Sequence, residues 1–337
     1  MRFQPASESF NHVIVDIDAV QKRMLSWSAA KGCLCILGES ADVARPTPSP
    51  QRDGTMPEPD RRLHTLQRAA QAFRATPGRK GRVVALQDLD EVLVGGDLHG
   101  DVENFRRLMT RADLAKHPRR HLVLQEVIHG PFRYPLGGDK SHQLLDLVSA
   151  LKCQFPRQVH FLMGNLELAL CARRPIGKDE DNLLELFEVG VKLAYAERAE
   201  AVLAAYQDIF LAAPFALRTP NRVFLSHSLP AASRLAEFDP AALERDGPLD
   251  ADAAPGGALH SLVWGRDTTA ENAAAFLAKV DADLLVTGHV PCDQGFEAPN
   301  DRQLILDCMG TPACYCLFLA DRPLTHAELV ACVHPLE

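Results

Sequence analysis

Nowhere does the 337-residue chain contain a run of about eighteen apolar residues, so no segment reads as a membrane-crossing helix. The opening MRFQPASESF lacks the basic-then-apolar layout of a secretory signal, and the expected compartment is the cytoplasm, with no membrane partner. A basic excess is missing too. Lys and Arg number 36 against 44 Asp and Glu, a formal net charge of −8, which speaks against nucleic acid as a partner because phosphate-backbone binding needs clustered cations. Also missing is the two-residue cysteine gap of the common zinc knuckles: Cys33 and Cys35, like Cys314 and Cys316, stand one residue apart. The nine cysteines are odd in number and lie in apolar stretches such as CLCIL and CYCLFL, so they read as small buried hydrophobes in a reducing compartment. Internal repeats are absent as well.

What is present is a chain 47% hydrophobic and 24% charged, enough for one large domain or two smaller ones. Residues 1–60 read as an extension in which a mixed apolar part (VIVDIDAV, CLCILG) runs into the proline-rich linker ARPTPSPQRDGTMPEPD. The main domain is expected over 61–337. It opens on a helix in RRLHTLQRAAQAF, with Leu63, Leu66, Ala70 and Phe73 at helical spacing. Strands near Glu91–Val94, His121–Gln125 and Val159–Met163 then alternate with helices near Val102–Leu114 and Ser141–Cys153, the pattern of an α/β layered fold. Residues 180–211, rich in Ala, Leu and Glu, predict a helical insertion. FALRT, RVFLSHS, ADLLVTGHV, RQLILDC, ACYCLFLA and AELVACV read as strands of a second sheet, with a helix at Ala270–Lys279 between them. The fold class is therefore α/β (α+β): two sheets packed face to face, with helices outside.

The stretch VLVGGDLHGD, residues 92–101, organises the rest. A strand that stops on Gly95 and Gly96 presents Asp97 and His99 on one side of its C-terminal edge, because strand side chains repeat every two residues. That spacing fits a metal site, and it fits equally a polar turn in which Asp101 caps the next helix. Four later strand exits repeat the arrangement: Glu126 after LVLQ, Asn165 after VHFLMG, His227 in RVFLSHS and His289 in LLVTGH. Carboxylate, imidazole and amide together suit two divalent metal ions of the manganese, iron or zinc type rather than a thiolate cage.

The ordered series GD-x-HG, a carboxylate after a strand, GN-x-E, a strand-end His, WGRD and GH resembles the calcineurin-like metallophosphoesterases, and among them the phosphoprotein phosphatase branch, over roughly Glu91–Phe318. The resemblance implies a β-sandwich flanked by helices. It implies Asp97 and His99 on a first metal, Glu126 bridging, and Asn165, His227 and His289 on a second, with the pair clamping a phosphate and activating water. It also implies arginines against the phosphate oxygens, for which Arg266 in LVWGRD and Arg133 in HGPFRYP are the candidates.

The chain departs from that pattern at three places. Leu166 stands where the family has the histidine that protonates the leaving oxygen, Glu126 stands in place of an aspartate, and QEVIHGP replaces GD-x-x-DRG. His129 lies at the position of the aspartate that supports the missing histidine, so it becomes the candidate proton donor. The expected activity is hydrolysis of phosphomonoesters, phosphoserine and phosphothreonine in proteins among them, with a phosphorylated small molecule or phosphoprotein as partner. Two rival readings stand beside it. One is a regulatory module that keeps the metals without efficient catalysis, and the other is a nucleotide phosphohydrolase of the dinucleoside polyphosphate type.

Overall fold

The computed structural model describes residues 58–337 except 179, 180, 248 and 250. The N-terminal extension expected over 1–60 therefore lies outside the described residues except for its last three, which already belong to helix α1 (Glu58–Arg74). A short ribbon, β1 (Arg79–Lys80) and β2 (Val83–Ala85), leads into β3 (Glu91–Asp97). Then follow α2 (Val102–Ala112), β4 (Arg120–Gln125), α3 (His142–Gln154), β5 (Val159–Leu162) and a short α4 (Asn165–Cys171). A two-stranded ribbon, β6 (Gly177–Lys178) and β7 (Asp181–Asn182), leads into the insertion predicted over 180–211. The insertion forms two helices, α5 (Leu183–Tyr195) and α6 (Ala199–Ala212). The last third holds β8 (Ala216–Arg218), β9 (Val223–Ser226), α7 (Ala232–Leu235), α8 (Ala258–Trp264), α9 (Ala270–Lys279), β10 (Leu284–Thr287), β11 (Phe296–Glu297), β12 (Gln303–Leu306), β13 (Cys314–Leu319), α10 (His326–Ala331) and β14 (Val333–Pro335).

Two sheets form the expected sandwich, one ordered β1-β2-β8-β9-β10-β12-β11 and the other β14-β13-β3-β4-β5. Alternation along β3 shows how they are cemented. Val92 and Val94 enter an apolar layer shared with Val223, Leu225, Val286 and Leu304 of the other sheet, whereas Leu93 faces the helices. Two details differ from expectation. β13 and β14 join the sheet of β3, β4 and β5 rather than extending the sheet of β8, β9, β10 and β12. AELVACV is a helix up to Ala331, because Thr325 and Glu328 close a capping box that starts one: Glu328 N donates to Thr325 Oγ1 at 3.3 Å and Thr325 N to Glu328 Oε2 at 2.8 Å.

The insertion docks through a buried carboxylate. Tyr206 Oη donates to Asp146 Oδ1 at 2.7 Å and Tyr195 Oη to Asp146 Oδ2, which ties α5 and α6 to α3. Burial pushes Asp146 up to about 6, and the two tyrosine hydroxyls oppose that rise. Among the described residues no helix is long and apolar enough to cross a membrane.

Candidate active site

Strands β3, β4 and β5 run parallel in one sheet and β9 and β10 run parallel in the other, so their C-terminal ends gather at one edge of the sandwich. The two sheets touch there through an isolated parallel bridge between Asp97 and Asp307. This topology, rather than nearness in sequence, assembles the residues.

His227 lies at the centre and is fully buried. Its Nε2 stands 2.8 Å from Asn165 Oδ1 and 3.0 Å from Glu126 Oε2, while its Nδ1 stands 3.7 Å from Asp97 Oδ1 and 3.3 Å from Gln125 Oε1. The His289 amide donates to Asp97 Oδ2 at 2.8 Å, and the His227 and His289 rings meet edge-on with centroids 5.0 Å apart. Gly288 permits this approach: a Cβ there would lie 2.1 Å from Asp97 Oδ1. Ten non-glycine residues among those described adopt positive φ, and His99, Glu126, His129 and His289 are four of them. Such strain gathers where a fold fixes side chains for function.

Several polar atoms in this cluster are buried without a hydrogen bond: Asp97 Oδ1, both carboxylate oxygens of Glu126 and His289 Nε2. An orphaned buried acceptor costs on the order of 1–3 kcal/mol, so such a concentration needs a reason. Burial raises Asp97 to about 8, with His227 opposing and Glu126 reinforcing the rise. Burial likewise raises Glu126 to about 8, opposed by the amides of Leu166 and Asn165 and by the charge of Arg266. Both imidazoles are held below their ordinary values by burial, His289 far below, and so are neutral lone-pair donors at neutral pH. Carboxylates that burial drives toward protonation, beside neutral imidazoles and an amide oxygen, form a donor set fitted to divalent cations. The side chains contact one another: among the described residues no three His, Cys, Asp or Glu side chains already surround one point as metal ligands would.

The other predicted residues are placed unequally. His99 is half-buried, with Nδ1 3.3 Å from Ile128 O, and its charge bears on His289. Arg266 is exposed, and its charge acts on Glu126, His227 and His289, so it stands at the cluster. Arg133 instead donates to Gly130 O and lies 3.6 Å from Asp139 Oδ1. The His129 ring packs edge-on against Phe187 with Nδ1 3.6 Å from Asp139 Oδ2, outside the contacts of the central cluster. Asp101 does cap α2, its Oδ1 accepting from Asn104 N at 2.9 Å.

Three further residues belong to the cluster: Glu167, read in the sequence only as the last member of GN-x-E with no role of its own, and Gln125 and Asp307, which the sequence reading passed over. Glu167 is fully buried, accepts from Val127 N at 3.0 Å and is raised to about 8 by burial and by Glu126. Gln125 orients His227, and Asp307 accepts from Cys292 N at 3.2 Å, holding the loop that follows His289. A polar residue interrupting an apolar strand was the available signal for Gln125; Asp307 had none beyond its strand end.

The family model for calcineurin-like phosphoesterases matches residues 91–293, more than half of the chain. A curated relative from Encephalitozoon cuniculi (strain GB-M1), named as a probable serine/threonine-protein phosphatase, is 26% identical over 244 residues. That match takes in 66% of this chain and 47% of the relative, so the chain spans about half the length of the curated relative it matches. Among solved structures, a protein serine/threonine phosphatase from Saccharomyces cerevisiae with similarity to human phosphatase PP5 superposes with a TM-score of 0.55 at 15% identity, covering 78% of this chain and 84% of that one. A cold-active protein-tyrosine phosphatase of a Shewanella species gives 0.51 at 13% identity, covering 79% and 84%. At these identities the structures speak for the fold, and the family match for the rest: the chain belongs to the calcineurin-like phosphoesterase family.

Proposed function

We propose that the chain is a divalent-metal-dependent phosphoesterase acting on phosphomonoesters, phosphoserine and phosphothreonine of proteins included, in the cytoplasm. The observation that carries this reading is the set of orphaned buried acceptors, Asp97 Oδ1, Glu126 Oε1 and Oε2, and His289 Nε2, gathered at one sheet edge. In this reading Asp97 and His99, with Glu126, would hold one ion and Asn165, His227 and His289, again with Glu126, the second; bound there, the ions would supply charge against the phosphate and lower the pKa of a water.

The chain's own residues do the rest. Gln125 Oε1, 3.3 Å from His227 Nδ1, takes the one N–H of the neutral ring and leaves Nε2 for an ion, and the Asp97 carboxylate fixes the loop carrying His289. Arg266, exposed beside Glu126, grips phosphate oxygens in the plane of its guanidinium. Arg133, drawn toward Asp139, contributes positive charge from further off. His129 supplies the proton for the leaving oxygen. The protein-directed substrate class is supported by the phosphatase named for the Encephalitozoon relative.

One observation favours a second reading. Leu166, on the first turn of α4 beside Asn165, has no proton to give, which fits a protein that binds metals and phosphate but hydrolyses slowly. Manganese-dependent hydrolysis of para-nitrophenyl phosphate separates the two, because that leaving group needs little protonation. Turnover that depends on the metal supports the enzyme; two bound metals without turnover leave the binding module.

A further inference from the structure

Beside the metal-ligand cluster lies a second buried polar unit, built on the insertion. The chain leaves Glu126, takes a left-handed turn at His129 (φ 60°) and forms a hairpin bridged between Arg133 and Asp139. Three of its groups close a ring. Ser141 Oγ accepts from His129 N at 2.9 Å, Asp139 Oδ1 accepts from Ser141 N at 2.8 Å, and Asp139 Oδ2 faces His129 Nδ1 at 3.6 Å. Both side chains are enclosed, at 2% and 1% exposure, and those two facing atoms have no hydrogen bond of their own. Helix α5 carries the unit: Leu186 O accepts from Asp139 N at 2.8 Å, the Phe187 ring sets the plane of His129, and Gly190 lies directly under Asp139.

We propose that Asp139 is the positioning residue of a relocated proton donor, His129, and that the helical insertion exists in part to hold this pair. The proposal rests on the phosphoesterase reading. A carboxylate aimed at Nδ1 fixes the tautomer and ring plane and leaves Nε2, the far edge of the imidazole, to deliver the proton. A separation of 3.6 Å is long for a hydrogen bond, as is common before substrate is bound. The step balances. The water oxygen bonds to phosphorus as the bond from phosphorus to the leaving oxygen breaks, the proton on His129 Nε2 passes to that oxygen, and the neutral imidazole regains a proton from solvent. Leu166 removes a donor from α4, and the Asp139–His129 pair restores one from the neighbouring hairpin.

The test compares an alkyl phosphate, a phosphoserine peptide, with para-nitrophenyl phosphate, using the full chain loaded with manganese. Asp139→Asn and His129→Gln should each lower the alkyl-to-aryl ratio of kcat/KM about ten-fold or more, and the double variant should lower it no further. Gly190→Ala provides a second approach away from the pair: its Cβ would lie 1.9 Å from Asp139 O, which shifts Asp139 and should lower the same ratio. Adding Leu166→His to the His129→Gln protein should restore the ratio. A ratio unchanged within two-fold in His129→Gln overturns the proposal. So does a wild-type enzyme that cleaves only the aryl ester, although the phosphoesterase reading would survive that result. No turnover of either ester overturns both.

Discussion

The sandwich has two buried polar clusters at opposite ends of the same strands, and they are built on opposite principles. At the entrance to β4 and β5, Lys152 is wholly buried yet donates to Thr76 Oγ1, Pro156 O and Val159 O at 2.7–2.9 Å and lies 4.8 Å from the centre of the Phe73 ring. Close by, His121 Nδ1 and His160 Nε2 share a contact of 2.9 Å. Burial holds Lys152 down to about 7 and His121 down to about 4. Each ammonium proton has an acceptor. At the exits of β3, β4 and β10, Asp97 Oδ1, both Glu126 oxygens and His289 Nε2 complete no hydrogen bond, and the carboxylates face only the His227 ring, 3.0 Å from Glu126 Oε2 and 3.7 Å from Asp97 Oδ1. Buried polarity that is satisfied internally serves the fold, and buried polarity left open implies a ligand.

The largest effect that can break this comparison is on catalysis. Glu126→Gln should lower metal-dependent kcat by about 10²–10³, the scale of losing one charge contact in the transition state. Lys152→Met should leave kcat of the folded fraction near that of the wild type. Equal losses in the two variants would erase the distinction.

Stability comes next, with opposite signs. Lys152→Met strands three acceptors and should destabilise the protein by about 2–3 kcal/mol, with or without metal. Asp97→Asn removes an uncompensated buried carboxylate, so the metal-free protein should unfold at an equal or higher temperature. The rise in Tm that metal gives the wild type should be lost in that variant. A lower metal-free Tm for Asp97→Asn would contradict the assignment.

The pH dependence is smaller. Glu126 and Asp97 titrate near 8 in the folded metal-free protein, well above their ordinary carboxylate values. Between those values the folded state binds more protons than the unfolded state, so stability falls as pH rises toward 8. For Lys152, lowered from 10.5 to about 7, the unfolded state binds more protons between those values, and stability rises with pH there. Denaturant melts of metal-free protein from pH 5 to 10 should show the first slope shrink in Glu126→Gln, where Asp97 and Glu167 remain, and the second vanish in Lys152→Met. Smallest of all, Arg266→Ala should raise KM about ten-fold while changing kcat less, because the exposed guanidinium binds phosphate in ground and transition states alike.

Much of the candidate site was legible because each member closes an apolar strand. Asp97, Glu126, Asn165, His227 and His289 need only the α/β order to be sent to one edge. What stayed hidden depends on contacts distant in sequence. Asp139 meets His129 because α5 passes behind both, and Asp307 meets Asp97 because β12 from the other sheet arrives beside β3. Helix α10 was misread for a different reason: AELVACV alternates well enough for a strand, and a single capping box decided the matter.

The central claim is that the open acceptors at the strand exits form a divalent-metal site. Titration of the metal-free protein with manganese, followed by calorimetry, tests it most directly. The account predicts binding of two ions, a rise in Tm, and loss of at least one ion in Glu126→Gln. Absence of binding by the wild type, or binding that Glu126→Gln leaves intact, would contradict it.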